Sequence, residues 1–243
     1  MLNDCSLTAK ENLGLSRCNA LPALIKGMIT TPDDFKLTPT EAVDATKWQD
    51  ALLAGINTRA YFWPPFVSFE NLSVPAVYEE TPLAYLAVRD GNYRFRFGIK
   101  QNLCLHKAMY THRANSGRVF LVDVENHIIG TEDEDGNFRG FTMQMLHTEK
   151  LLFSDGTVST KSPIVVALAD NLEMDANGAM VDGPFLNTIA RLTDVTLSLV
   201  GALGANSFQF DVKQSCDNTP VSGLVLADVT FVKADGSAQA TPA

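Results

Sequence analysis

Tyr93-Arg94-Phe95-Arg96-Phe97-Gly98-Ile99, within the longer stretch from Ala84 to Asn115, decides the fold class of this chain. Tyr93, Phe95, Phe97 and Ile99 alternate with Arg94, Arg96 and Gly98, so one face is apolar and the other charged. That two-residue period marks a half-buried strand. Tyr85-Leu86-Ala87-Val88 precedes it as a partner strand, and Asp90-Gly91-Asn92 between them predicts a tight hairpin turn. Downstream, Asn102 is placed to cap a helix whose Leu105, Ala108, Met109 and His112 fall at helical spacing. A strand pair followed by a helix folded back on it is a scaffold, and no catalytic arrangement lies on it.

Turn signals recur outward from this stretch. Asp135-Gly136, Asp155-Gly156, Asn177-Gly178 and Asp235-Gly236 each stand between strand-like runs, the pattern of successive hairpins. The expected strands are 67–72, 85–88, 93–99, 119–124, 138–146, 164–169, 195–200, 208–214 and 224–232. Helical patterns do not connect most of them, so the sheet is expected to be antiparallel. The expected fold is mainly β (α+β): an antiparallel sandwich or barrel-like sheet with two or three helices packed on it.

Toward the N-terminus, Thr38-Pro39-Thr40-Glu41 has the form of a capping box. It predicts a helix of about four turns, with Val43, Ala45, Trp48, Leu52 and Leu53 on its apolar face and Gly55 as its stop. Ala9 to Leu15 is a short helix candidate, and Leu21 to Ile29, interrupted by Pro22 and Gly27, is left without an assignment. Tyr61-Phe62-Trp63-Pro64-Pro65-Phe66 is an aromatic knot kept out of helix by its prolines. Tyr61, Phe62, Trp63 and Phe66 are the candidate site residues, either as a core plug between helix and sheet or as a subunit-contact platform. Three regions follow: residues 1–65 as an arm and helix, 66–192 as a hairpin-rich β domain with one helix, and 193–243 as C-terminal strands.

The chain has 243 residues, 46% hydrophobic and 19% charged, with a formal net charge of −9. Such a balance suits a globular chain, and its acidity disfavours a phosphate grip across the surface, which needs clustered Lys and Arg. The N-terminus lacks the basic start and apolar run of a secretory signal, and no apolar segment approaches the ~20 residues that span a bilayer. Cys5, Cys18, Cys104 and Cys216 are scattered without a C-x-x-C pair, which predicts structural thiols in a reducing cytosol.

Motifs for chemistry are incomplete. His106 and His112 are six apart and miss the i, i+4 spacing of H-E-x-x-H. His147-Thr148-Glu149 starts like a zinc deaminase motif but has no downstream P-C-x-x-C. A calcium loop at Thr131–Gly136 would need a carboxylate where Thr142 stands, and one at Glu173–Gly178 would close on Pro184. Glycine loops for phosphate, G-x-S-x-G and Ser-x-x-Lys are missing. The expectation is a protein that is not an enzyme and carries no metal or cofactor.

Asp217-Asn218-Thr219-Pro220-Val221-Ser222-Gly223, with the run 224–232 and Asp235-Gly236, resembles the polar turn, Pro-Val-x-Gly and strand of bacterial Ig-like domains. Phe69-Glu70-Asn71 through Thr81-Pro82-Leu83, with Gly91-Asn92-Tyr93-Arg94-Phe95, resembles structural proteins of tailed-phage virions, especially tail-tube subunits. That resemblance implies stacked rings made of copies of the chain in contact with other virion proteins, assembled in the host cytoplasm. DNA would pass nearby without specific binding, its phosphates repelled by acidic side chains. A head decoration, neck or collar protein is the alternative, as is a carbohydrate- or surface-binding module with Tyr61, Phe62 and Trp63 in its cleft. Because Glu132–Asp135 lacks a closing ligand, calorimetric titration with calcium should give no saturable heat; micromolar binding would reopen the calcium-module reading.

Overall fold

Val119-Phe120-Leu121-Val122 sends alternate side chains to two different apolar clusters, so the strand that carries it is buried on both faces. That strand organises the larger part of the chain. The computed structural model describes residues 22–55, 57–81, 84–100, 102–112, 116–189, 195–200 and 209–224. In chain order its elements are β1 (Ile25–Thr31), α1 (Ala45–Leu53), β2 (Tyr61–Phe62), β3 (Ser68–Asn71), β4 (Val77–Thr81), β5 (Ala84–Arg89) and β6 (Arg94–Ile99). There follow α2 (Leu103–Thr111), β7 (Arg118–Asp123), β8 (His127–Glu132), β9 (Phe138–Arg139), β10 (Phe141–Thr148) and β11 (Ser162–Leu168). Then come α3 (Leu172–Asp175), β12 (Gly178–Asp182), a 3₁₀ turn (Pro184–Asn187), β13 (Val195–Val200) and β14 (Gln209–Gln214).

Among the described residues the fold is mainly β and antiparallel throughout its ladders, with no closed barrel, and is consistent with a sandwich. One layer runs β2-β1-β7-β8-β12, and the other β10-β11-β6-β3. β10 belongs to both: Phe141 and Thr142 pair with β7, and the ladder from Met143 to Thr148 runs with β11. A strand that changes sheets needs a bend, and the ladder with β11 shifts register between Met143 and Met145. At Gly140, just before β10, the backbones approach closely: a Cβ there would stand 2.9 Å from the Val119 backbone nitrogen.

Between the layers lie Met28, Phe95, Phe97, Ile99, Val119, Leu121, Phe141, Ile164 and Val166. The outer face of the first layer carries Ile29, Phe120, Val122, Ile128 and Val181 beneath Trp48 of α1. Burying one such aliphatic or aromatic side chain is worth about 1.5–3 kcal/mol, so α1 is held by its cover of this face. Trp48 is fully buried, meets Phe120 edge to face at 5.3 Å, and donates from Nε1 to the Ala42 carbonyl at 2.9 Å.

That last bond explains why the helix starts later than the capping box predicts. The box is made: Thr38 N–H and hydroxyl donate to Glu41 Oε2 at 3.0 and 2.8 Å. It closes a single turn. A continuous helix would give the Ala42 carbonyl to the Thr46 N–H, whereas here Trp48 takes that carbonyl and Asp44 Oδ1 caps Thr46 at 2.8 Å. α1 therefore has 9 residues and ends before Gly55.

The hairpin expected at Asp90-Gly91-Asn92 is also corrected. β5 pairs with β4, and β6 pairs with β3 and β11. Gly91 serves a close approach: a Cβ would lie 2.6 Å from the Val74 carbonyl oxygen. α2 follows its expectation, with the Asn102 side chain accepting from Leu105 N–H at 2.8 Å. β1 begins within the unassigned stretch that ends at Ile29, and its ladder with β7 tolerates Gly27 through a register shift at Ile25/Gly27. Cys104 and Cys216 are each in a disulfide, which overturns the thiol expectation; cysteine spacing in sequence says little about which sulfurs are oxidised.

The chain divides into two compact units, Met1–Arg191 and Leu192–Ala243. β1 and β2 lie in the sheet of the first unit. In the second, β13 pairs with β14, and the polar turn after β14 reverses the chain so that Val221 N–H donates to the Val212 carbonyl at 2.9 Å. The expected helix at Ala9–Leu15, the strand 224–232 beyond Leu224, and Asp235-Gly236 lie outside the described residues. Replacing Trp48 by Ala should cost about 3–5 kcal/mol, read from urea unfolding midpoints; an unchanged midpoint would show that α1 does not depend on the indole.

Candidate interaction surface

The aromatic knot is divided between the two apolar clusters. Tyr61 and Phe62 pair with Thr30 and Ile29 of β1, and the segment stays beside β1 through Trp63 N–H to Met28 O (3.1 Å) and Phe66 N–H to Lys26 O (2.7 Å). Pro64 and Pro65 have no N–H to donate, so the ladder breaks between those two bonds. Phe62 packs edge-on to Trp48 at 6.1 Å on the outer face. Trp63 is 7% exposed, packs between the layers, and donates from Nε1 to Thr30 Oγ1 at 3.0 Å. Phe66 stacks on Phe97 at 4.3 Å, and Tyr61 meets His112 at 4.8 Å. Trp63 thus opens no exposed cleft of the kind a sugar face would need.

The surface that does stand open is a hairpin longer than the sequence suggests. β3 pairs with β6, Val74 and Asn92 exchange backbone hydrogen bonds at 3.0 Å, and β4 pairs with β5. These are successive parts of one antiparallel pair running from Ser68 to Ile99, slipped by one residue at Val77/Tyr78. Its base is rooted in the core by Phe95 and Phe97. Its outer part, β4 and β5, pairs with no third strand among the described residues. There Tyr78 is 62% exposed, Val88 61% and Leu86 51%. An isolated two-stranded ribbon is marginal in water, and apolar side chains on display at an exposed edge make this one the candidate interaction surface.

The titratable groups form structural clamps. Asp123, at the end of β7, is fully buried and accepts from the backbone of Ala23, Glu125 and His127 and from His127 Nδ1 at 2.8 Å. Burial would raise its pKa, but these bonds outweigh that and hold it below the usual carboxylate range. His127 is raised above its ordinary value chiefly by the bond to Asp123, against some desolvation, with Asp182 3.3 Å from Nε2 adding to it. Glu173 accepts from Arg118 at 3.2 Å and from the Thr142 hydroxyl at 2.7 Å, tying α3 to the sheet. In the acidic run, Asp133 Oδ1 accepts the Asp135 and Asn137 N–H groups, the work of a turn cap.

His106 Nδ1 lies 3.0 Å from Ser162 Oγ, but Ser162 is 2% exposed and no carboxylate among the described residues bonds to that histidine. A hydrolytic reading needs an accessible nucleophile and an oriented base. Among the described residues, no group of three or more His, Cys, Asp or Glu side chains is placed to hold a metal, and no helix is long and apolar enough to cross a membrane.

His127 carries a pH signature. Its folded pKa lies above the unfolded 6.5, so its stabilisation is complete below that value and is lost as pH rises through the folded pKa. Unfolding free energies between acidic and alkaline buffers should fall across this window, and His127→Gln should flatten that fall; an identical profile in the variant would refute the clamp. Comparison of the chain with protein-family models, with curated proteins and with solved structures found no match.

Proposed function

We propose that this protein is a structural subunit, not an enzyme, that assembles with copies of itself. The particle we favour is a phage virion, with the chain as its tail tube, built of stacked rings in the host cytoplasm beside other virion proteins. The observation that carries the self-assembly reading is the hairpin Ser68–Ile99, rooted in the core at one end and exposing Tyr78, Leu86 and Val88 at the other. A hairpin of this kind on each copy, meeting a surface on the next, gives a head-to-tail contact. Such contacts close into rings or propagate as helical stacks.

The acidic excess supports a tube more than a nucleic-acid binder. With a net charge of −9, a lumen lined by these subunits would repel phosphate and let DNA slide. A head decoration, neck or collar subunit would use the same hairpin in a different place on the particle.

Negative-stain microscopy and sedimentation of the purified chain distinguish these readings. Wild-type protein should form rings or tubes. The triple variant Tyr78→Lys, Leu86→Lys, Val88→Lys should stay folded, within about 0.5 kcal/mol per exposed substitution, and remain monomeric. Rings that persist in the variant would remove the hairpin from the contact, and a wild-type chain monomeric at high concentration would remove the tube.

A further inference from the structure

The hairpin β4–β5 and the loop joining β10 to β11 leave opposite ends of one sheet. In the ladder of β6 with β11, Arg94 faces Ala167 and Ile99 faces Ser162. The hairpin extends the Arg94 end, through the Asn71–Phe95 pair and the Val74–Asn92 bonds. The loop lies beyond the Ile99 end, where Ser162 begins β11. The length of β6, about 20 Å, separates the two, so the hairpin of a copy runs away from its own loop. That loop displays Phe153, 77% exposed, with Leu152 and Val158 also open to solvent. It is held in shape all the same. Leu152 and Lys161 exchange backbone hydrogen bonds at 3.0 Å, Ser154 N–H donates to Thr160 Oγ1 at 3.0 Å, and Asp155 Oδ1 accepts from Thr157 and Val158 N–H at 2.9 and 2.8 Å. A pinned loop that presents a large aromatic ring to water is a preorganised anchor for a partner.

Charge divides between the same two ends, which a net charge of −9 hides. Lys100 follows β6, Lys150 follows β10, and Lys107 stands on α2, whose His106 reaches Ser162 at the start of β11. These three lysines are exposed, and among the described residues no carboxylate pairs with them. Glu149 and Asp155, at this end, are already engaged, Glu149 by Arg96 at 2.7 Å and Asp155 by its own turn. At the hairpin end Glu79, Glu80, Asp90, Asp170 and Asp175 are exposed, with Arg89 among them. Glu79 stands directly across from Leu86 in the β4–β5 ladder, and Val88 shares the face of Leu86. The ribbon therefore offers a carboxylate with apolar side chains, and the loop offers Lys150 with Phe153. We propose that the hairpin of one copy docks on the β10–β11 loop of the next, Leu86 and Val88 packing on Phe153 and the hairpin carboxylates facing Lys100 and Lys150. The two surfaces differ and lie at opposite ends, so the contact is head-to-tail and leaves one hairpin and one loop unused in any open chain of copies. The contact rests on the assembly reading and adds to it the acceptor surface.

The test mixes two full-length variants in sedimentation velocity runs. One carries Tyr78→Lys, Leu86→Lys and Val88→Lys in the hairpin; the other carries Phe153→Asp and Lys150→Glu in the loop. These positions are exposed, so both variants should keep the wild-type melting transition, and Phe153→Ser alone replaces the loop variant should its charge change disturb folding. Each variant by itself should be monomeric. Mixed, they should form a one-to-one dimer and nothing larger, because the loop variant keeps its hairpin and the hairpin variant keeps its loop. Glu79→Lys with Glu80→Lys should weaken assembly of an otherwise wild-type chain by about tenfold or more, since like charges then meet across the contact. Lys100→Glu with Lys150→Glu should do the same, and the four substitutions in one chain should recover assembly. A wild-type chain that stays monomeric overturns the assembly reading and this contact together. A wild type that assembles, beside a folded loop variant that assembles equally well, overturns this contact and leaves the assembly reading standing. A mixture that fails to dimerise or grows beyond a dimer, or a fourfold variant that does not recover, overturns this contact as well.

Discussion

Burial of β7 on both faces is the constraint from which the larger unit follows. A strand with Val119 and Leu121 on one side and Phe120 and Val122 on the other cannot have a solvent face. It must have one layer in front of it and another behind. The second sheet supplies the first cover, and α1 with the segment around Ala42 and Ala60 supplies the other. Gly130 shows how tight the outer packing is: a Cβ there would stand 2.3 Å from the Arg139 carbonyl oxygen and 2.9 Å from the Phe120 ring. The indole of Trp48 then takes the Ala42 carbonyl, and that choice moves the start of α1.

The same core explains how an exposed hairpin can be kept. A ribbon with Tyr78, Leu86 and Val88 in water has little stability of its own. It borrows order from its base, where Phe95 and Phe97 are buried between the layers and Phe66 and Phe69 pack against them. Asn171 donates to the Gly91 carbonyl and Tyr93 to Asp175, bracing the point where the hairpin leaves the sheet. Local stability should decrease outward from that brace.

The aromatic knot and the histidines show what sequence types leave undecided. Phe62 and Trp63 are adjacent and similar in chemistry, yet they serve different clusters because neighbouring residues of an extended segment face opposite ways. The four histidines offered no spacing with chemical meaning, and the structure gives His127 to a hairpin clamp and His112 to an edge-on contact with Tyr61.

Period-two alternation, polar turns and caps were local properties, so the chain's own letters determined that it is mainly β and antiparallel, that 94–99 is a strand, and that Asn102 begins a helix. They also determined that Thr38 and Glu41 would join, since the bonds span only three residues. Which strand pairs with which was decided only in the tertiary structure. Asp90-Gly91 has the composition of a turn, but the same glycine lets two backbones approach, and only the register from Ser68 to Ile99 distinguishes the two uses. The contacts of His112 with Tyr61 and Trp63 likewise exist only once those residues are brought together. No local pattern encodes such a meeting, because it depends on the packing of the whole sheet.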